Sequence, residues 1–172
     1  KFGDSVGYNG HSIEAPQYII LMSEVKEHYL ENIAYLAQAM TLKLTDLGIA
    51  ACWLTVNDSD RIKAAADIDS KLEVACVIGI GYRDKDNKET RLDIVSPSNV
   101  TMTKTELRAA PKIHLGCMLF DKQYGKTFNT DELYTELEDS LLAISHAQSF
   151  FNRQPYRVIV GDSEIYLVGV PD

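Results

Sequence analysis

The chain has 172 residues, 45% apolar and 24% charged, with a net charge of −8. Those totals suit one globular domain that buries about 70% of its unfolded surface. They argue against nucleic acid and anionic membranes as partners, because phosphate-binding domains are usually basic.

Residues 1–14 are glycine-rich and irregular. After Ala15-Pro16, Tyr18–Met22 is an apolar run that predicts a buried strand. Ser23 is a candidate N-cap for a long helix. Within it Leu30, Ile33, Ala37, Met40, Leu44 and Leu47 recur at helical spacing, which predicts a central helix with one buried stripe. Gly48 stands where a helix C-terminal cap is expected. Ile49–Val56 is a compact apolar run without charge. Ser59 is expected to cap a short helix reaching about Ile68.

Val74–Ile80 is rich in β-branched residues and predicts an interior strand covered on both faces. Lys85–Lys88 is a charged turn. Between Leu92 and Phe128 no long periodic element is visible; a short helix is expected at Lys104–Ala110, stopped by Pro111. Asn129 and Glu132 form a capping-box pattern. The helix they open carries Leu133, Leu137, Leu141 and Ile144 on one face. Tyr156–Val160 and Glu164–Val170 flank Gly161-Asp162-Ser163, a hairpin signal.

Several chemistries lack a starting point. Gly79-Ile80-Gly81 follows a strand, but Asp84 occupies the place of a third glycine, so a plain strand end is expected. Asp58-Ser59-Asp60 begins like a calcium loop, but Lys63 holds the glycine position. His11, His28, His114 and His146 show no metal-ligand spacing, and no metal site is expected. No GxSxG is present. Cys52, Cys76 and Cys117 are odd in number and form no CxxC, so reduced thiols in a cytoplasmic protein are expected. The start, KFGDSVGYNG, has no secretory apolar core, and no apolar run is long enough for a membrane span.

Two segments remain. LGIAACWLTV, Leu47 to Val56, reads by itself as a helix end followed by a buried loop with an aromatic anchor. AQSFFNRQPYRVIV, Ala147 to Val160, reads as a helix C-terminus, a polar turn and a strand. The turn is chemically dense. An amide there could read the donor and acceptor edge of a heterocycle, with Ser149 and Asn152 facing one ligand. Both readings of each segment stay open at this level.

Together the segments resemble the nitroreductase family. EAPQYIILMSE…HYLENIAYLAQAMTLKLTDLGIAACWL is similar to that family's half ending in GLGTCW, and VACVIGIGY to the strand ending in GYP. Ala147–Arg157 resembles the segment APSxxNxQPW, with Gln148 for the proline, Phe150 and Phe151 in the variable places, and Tyr156 for the tryptophan. The NxQPW-like segment follows the GTCW-like one, the reverse of ordinary members. That order, and the linking text KIHLGCMLFDKQYGKTFNTDEL, resemble the TM nitroreductase subgroup. The likeness covers roughly residues 14–168.

The resemblance implies an α/β (α+β) fold with a central, mostly antiparallel sheet flanked by helices. It implies one nitroreductase-like domain over 1–172: a GTCW-type half at 1–91, a connecting segment at 92–128 and an NxQPW-type half at 129–172. It implies FMN as cofactor, NAD(P)H as hydride donor, a nitro, quinone or similar acceptor, and a homodimer. Gln148, Ser149 and Phe150 match positions that touch the isoalloxazine ring, and Asn152 and Gln154 match the motif's polar pair. Trp53, Leu54, Thr55 and Val56 match the loop whose backbone N–H groups approach flavin N5. Both segments are therefore expected to border one cavity, within a chain or across a dimer. The family often has glycine where Val56 stands, and a Cβ there would crowd the ring.

The family's Arg-Ser-x-Arg phosphate clamp has no match in residues 1–16, and Arg91 is the candidate for a later basic residue of it. The chain is accordingly expected to be part of a longer protein, lacking elements at both ends and having little reductase activity alone. No catalytic acid or nucleophile is expected, because the cofactor carries the chemistry. Two rival readings are a degenerate module of the same fold that binds a ligand or partner without redox turnover, and a flavin carrier.

Overall fold

The run after Ala15-Pro16 forms strand β1 (Gln17–Ser23), rich in the aromatic and β-branched residues that strands favour. The computed structural model describes residues 2–8, 11–82, 89–96, 99–105, 112–129 and 135–170. They fall into two compact units, Lys1–Asp86 and Asn87–Asp172.

The first unit is built on a three-stranded antiparallel sheet. Its strands are β1, β2 (Ile49–Leu54) and β3 (Glu73–Tyr82), in the order β1-β3-β2. Helix α1 (Tyr29–Asp46) covers one face through Ile33 and Ala37, which pack with Cys76 and Ile78. A 3-10 turn (Gly3–Ser5) and helix α2 (Ser59–Ala65) belong to the other face, where Phe2, Val6, Leu54, Ile62, Val74 and Val77 cluster. Strand β3 is thus covered on both faces, as its sequence predicts. Ala75 is a bulge: Leu21 pairs with Cys76 and Met22 with Val74. The extra residue resets the alternation, so Val74 and Val77 share one face.

Three boundaries differ from the expectations. Ser23 does not cap α1, because its backbone continues β1 opposite Glu73; the helix begins at Tyr29 after a left-handed His28, φ +61°. Asp58, not Ser59, caps α2, its carboxylate accepting from the Arg61 N–H at 3.0 Å. Ile49–Leu54 is a strand rather than a buried loop, its backbone groups finding partners on β3.

The stripe on α1 is also narrower than expected. Ile33 and Ala37 are buried and Leu44 is half-buried, but Met40 is 38% exposed, Leu30 52% and Leu47 61%. A helix lying on three strands touches them along a thin arc. Leu30 and Leu47 sit at its ends and Met40 on its flank. Gly48 follows at φ +73°, a backbone only glycine adopts without cost, and donates to the Thr45 carbonyl at 3.0 Å.

The second unit contains a hairpin, β4 (Glu89–Ser96) with β5 (Asn99–Thr105). It replaces the structureless stretch expected after Leu92. At Lys104 and Thr105 the expected helix is strand instead; the rest of that helix lies outside the described residues, as do the Lys85–Lys88 turn and the Glu132 end of the capping box. Helix α3 (Leu115–Met118) leads into β6 (Leu119–Asp121). Helix α4 (Thr135–Ser145) carries Leu141, which packs with Leu119, Val158 and Val160. Strand β7 (Tyr156–Val160) runs parallel to β6 and pairs antiparallel with β8 (Ile165–Gly169), the expected hairpin.

All three cysteines are free. Cys52 packs with the cluster on one face of the first sheet and Cys76 with that on the other, so they cannot pair. Burial pushes both thiols above their usual range, which starves them of thiolate. Cys117 is exposed. Alkylation of the native protein, followed by peptide mass, should therefore modify Cys117 first and leave Cys52 and Cys76 protected. Rapid modification of Cys76 would contradict its place in β3.

Candidate functional site

The C-terminal end of α4 leaves carbonyl groups without helical partners, and the next ten residues supply them. Gln154 is 2% exposed. Its Nε2 donates to the Ser145 carbonyl at 3.1 Å and its Oε1 accepts from the Ile113 N–H at 2.9 Å. Its backbone N–H donates to the Ser149 hydroxyl oxygen at 2.8 Å. Tyr156 Oη lies 3.1 Å from the carbonyl oxygens of both Ile144 and Ala147 and shares its proton between them. Arg157 reaches back to the Gln154 carbonyl at 3.0 Å.

Inside this frame Phe150–Asn152 forms a 3-10 turn, and Asn152 and Gln154 are both left-handed, at φ +55° and +50°. Two such non-glycine residues within three positions carry strain that the surrounding bonds must hold. Tertiary restraint of this kind presents side chains in a fixed direction. Ser149 and Asn152 are half-buried; Gln148 and Phe150 are exposed.

The sequence reading missed one member of this cluster. Lys112 Nζ donates to the Ala147 carbonyl and to Asn152 Oδ1, each at 2.9 Å. Desolvation lowers its pKa. Lys122 pairs with Asp162 at 2.6 Å and Lys126 with Asp121. Lys112 pairs with no carboxylate among the described residues. Its partner Asn152 is forty positions away, and Lys112 follows Pro111 in no motif, so no local signal pointed to it.

In the first unit, the segment Trp53–Val56 closes β2. Leu54 is buried in the core. Trp53 packs toward α1, and its indole N–H donates to Thr41 Oγ1 at 2.9 Å. Thr55 is exposed, and its carbonyl accepts from the Gly7 N–H at 2.8 Å. Val56 is half-buried and forms an antiparallel bridge with Val6. Asn57 fastens the same segment, its Nδ2 donating to the carbonyls of Asp4 and Gly7, each at 3.0 Å. Arg91 lies on β4 opposite Thr103, with its side chain outside the described part.

The ten candidate residues therefore fall in separate units: Trp53, Leu54, Thr55 and Val56 in the first, the rest in the second. Within the second, Ser149, Asn152 and Gln154 come together and Lys112 joins them. A cleft of about 850 Å³ in the first unit is lined by Phe2, Tyr18, Ile20, Ala66 and Ile80, among others, and by none of the ten. Among the described residues no group of histidines, cysteines or carboxylates could hold a metal, and no helix is long and apolar enough to cross a membrane.

A flavin ring asks of its site a polar edge contact and a shielded face. The Ser149–Asn152 turn fits the first demand with a hydroxyl, an amide and a neighbouring ammonium on a restrained backbone. Gln154 is committed to the frame, since both ends of its amide are bound to backbone inside a buried position. Leu54 and the Trp53 indole are likewise committed to their own unit, which leaves backbone groups as what that segment can offer.

No curated protein matches the chain. Among solved structures it is similar to one described as a "putative nitroreductase" from Thermotoga maritima, at 18% identity and a TM-score of 0.56, over 90% of this chain and 53% of that one. It is also similar to an FMN-dependent nitroreductase from Clostridium difficile, at 24% identity and a TM-score of 0.38, over 42% of this chain and 49% of that one. The chain thus spans about half the length of these structures. The first likeness identifies a nitroreductase-type α+β fold. The family model described as "Putative TM nitroreductase" matches residues 5–169, nearly the whole sequence, and the chain belongs to that family.

Proposed function

We propose that the protein is an FMN-dependent oxidoreductase, passing hydride from NAD(P)H to a nitro, quinone or similar small acceptor. The observation that carries this reading is the Ser149–Gln154 turn, whose strained backbone is held by buried bonds while a hydroxyl, an amide and an ammonium gather beside it. Strain of that kind is stored at binding sites. FMN, when bound, supplies the hydride exchange. Ser149 and Asn152 hold the polar edge of the ring, with Gln148 and Phe150 beside it. Gln154 keeps the turn in register, and the Trp53–Val56 segment would offer backbone N–H groups to the flavin. Arg91 is assigned to the phosphate. The reading includes a cytoplasmic location and assembly as a homodimer.

The test is spectroscopic. The full-length protein should purify yellow and release FMN on denaturation, and it should oxidise NAD(P)H with a quinone or nitro acceptor. Flavin retained without NAD(P)H oxidation would reduce the role to that of a carrier. A second reading, a module of the same fold without redox turnover, is favoured by Val56: its β-branched side chain is half-buried and its backbone bridged to Val6 where the family often has glycine. A colourless protein that leaves added FMN fluorescence unquenched would select it.

A further inference from the structure

Gly79 and Gly81 stand in the middle strand of the first sheet, where glycine costs backbone entropy and packs nothing. Neither has a left-handed backbone that would call for glycine. What calls for a missing side chain is close contact. A Cβ on Gly79 would stand 3.0 Å from the Ala15 Cβ, and one on Gly81 3.0 Å from the Pro16 Cδ. The segment 13–16 is therefore laid directly on these two residues.

The register shows what lies beneath it. Residues two apart along a strand share a face. On the face of Val77, the row Ile20–Val77–Leu54 is bulky and belongs to the core around Phe2 and Ile62. The next row is Tyr18–Gly79–Cys52, and beyond it Gly81 pairs with Ala50. The sheet thus drops from a bulky row to a trough of small residues. Two clefts, of about 850 and 210 Å³, share Glu14, Ala15, Pro16 and Ile80 as lining, so the segment is the partition between them.

One side chain fastens the partition. The Tyr18 hydroxyl accepts from the Ala15 N–H at 2.9 Å and donates to the Ile13 carbonyl at 3.2 Å. The Tyr18 ring is itself held edge-on to Phe2, with centroids 4.9 Å apart. Among the described residues 13–16 makes no other hydrogen bond, and Ile13 is 51% exposed. A segment with so few contacts, lying on a well-packed sheet, opens at a lower cost than the sheet itself.

We propose that residues 13–16 are a strap, clasped by Tyr18, that opens and closes over the Gly79–Gly81 trough as a local unit while the sheet beneath stays folded. Lifted, the strap removes the partition and leaves one groove across β3. The inference is independent of the flavin reading.

The two cysteines of the sheet report on it. Cys52 lies in the trough and lines the smaller cleft, whereas Cys76 is buried on the opposite face under α1. The experiment follows the alkylation rate of each, by peptide mass, in the full-length protein and its Y18F and G79A variants. Y18F keeps the ring against Phe2 and removes the clasp. G79A suits a strand and sets a methyl group against Ala15, so the strap must yield. In the wild type Cys52 should react slowly, yet faster than Cys76. Loss of the hydroxyl's hydrogen bonds predicts that Y18F speeds Cys52 by about two- to tenfold and leaves Cys76 unchanged. G79A should shift the two rates in the same sense, and it carries the test if Y18F fails to fold. A Cys52 rate unmoved in both variants would overturn the strap. So would Cys52 and Cys76 speeding up together, which would make 13–16 part of the core that unfolds with the sheet.

Discussion

Gln154→Ala should destabilise the second unit by about 2–6 kcal/mol, at roughly 1–3 for each of the two polar groups left without a partner. The side chain removed is 2% exposed and bonded at both ends, to the Ser145 carbonyl and the Ile113 N–H. Alanine offers neither bond, and the position is too enclosed for water to replace both at no cost. The loss goes beyond those two groups. Gln154 is left-handed, as is Asn152, and that backbone has no reason to persist once the amide stops holding it. Binding at the turn should fall along with stability. Urea unfolding of the full-length protein, followed by far-ultraviolet circular dichroism, measures the effect. A loss below about 1 kcal/mol would mean that the amide bonds contribute little and that Gln154 is free to serve a ligand.

This result would reassign a residue that sequence reasoning places among the flavin contacts. The motif around Asn152 and Gln154 is legible as text, because two amides, a proline and an arginine in a row are unusual for a plain connection. What the text does not contain is the direction of each side chain. Gln154 turns inward because α4 ends at Ser145 with unpaired carbonyls, and Ile113 arrives from forty-one positions away to complete the pair. Lys112 reaches the turn by the same route. Contacts that distant leave no spacing to read.

Strands fared better than caps and stripes for a similar reason. Tyr18–Met22, Val74–Ile80 and the pair around Gly161 are runs whose local composition already decides the backbone. The segment 49–54 was misread as a loop because, without charge or alternation, nothing separates a strand from a buried coil until β3 is beside it. The β4–β5 hairpin has a signal of its own that the pattern of the longer elements overshadows: Arg91–Ile94 and Asn99–Thr103 alternate polar and apolar on either side of Pro97-Ser98. On α1 the apolar spacing is real, yet it states only which residues could be buried. How many are buried depends on the width of what the helix lies on.

That distinction sets up the second large effect. Ile78→Ala should cost about 2–5 kcal/mol, whereas Met40→Ala should cost less than about 1. Ile78 is fully buried at the middle of the central strand, with Ile19 and Trp53 as its register partners on either side. It packs in the cluster formed by Ile33, Ala37 and Cys76 under α1. Removing three carbons there leaves a void that neighbours on two strands and a helix cannot all move to fill, so a cavity cost adds to the lost transfer energy. Met40 belongs to the same helical spacing as Ile33 and Ala37, and by pattern alone would carry the same cost. It is 38% exposed, so a good part of the side chain already meets water and the space alanine leaves is open to solvent rather than an enclosed void. Trp53 is the chain's one tryptophan and lies beside Ile78, which makes its fluorescence a local reporter of denaturant unfolding. A loss at Met40 equal to that at Ile78 would place the flank of α1 in a buried interface, and the exposure described for this helix would no longer hold in solution.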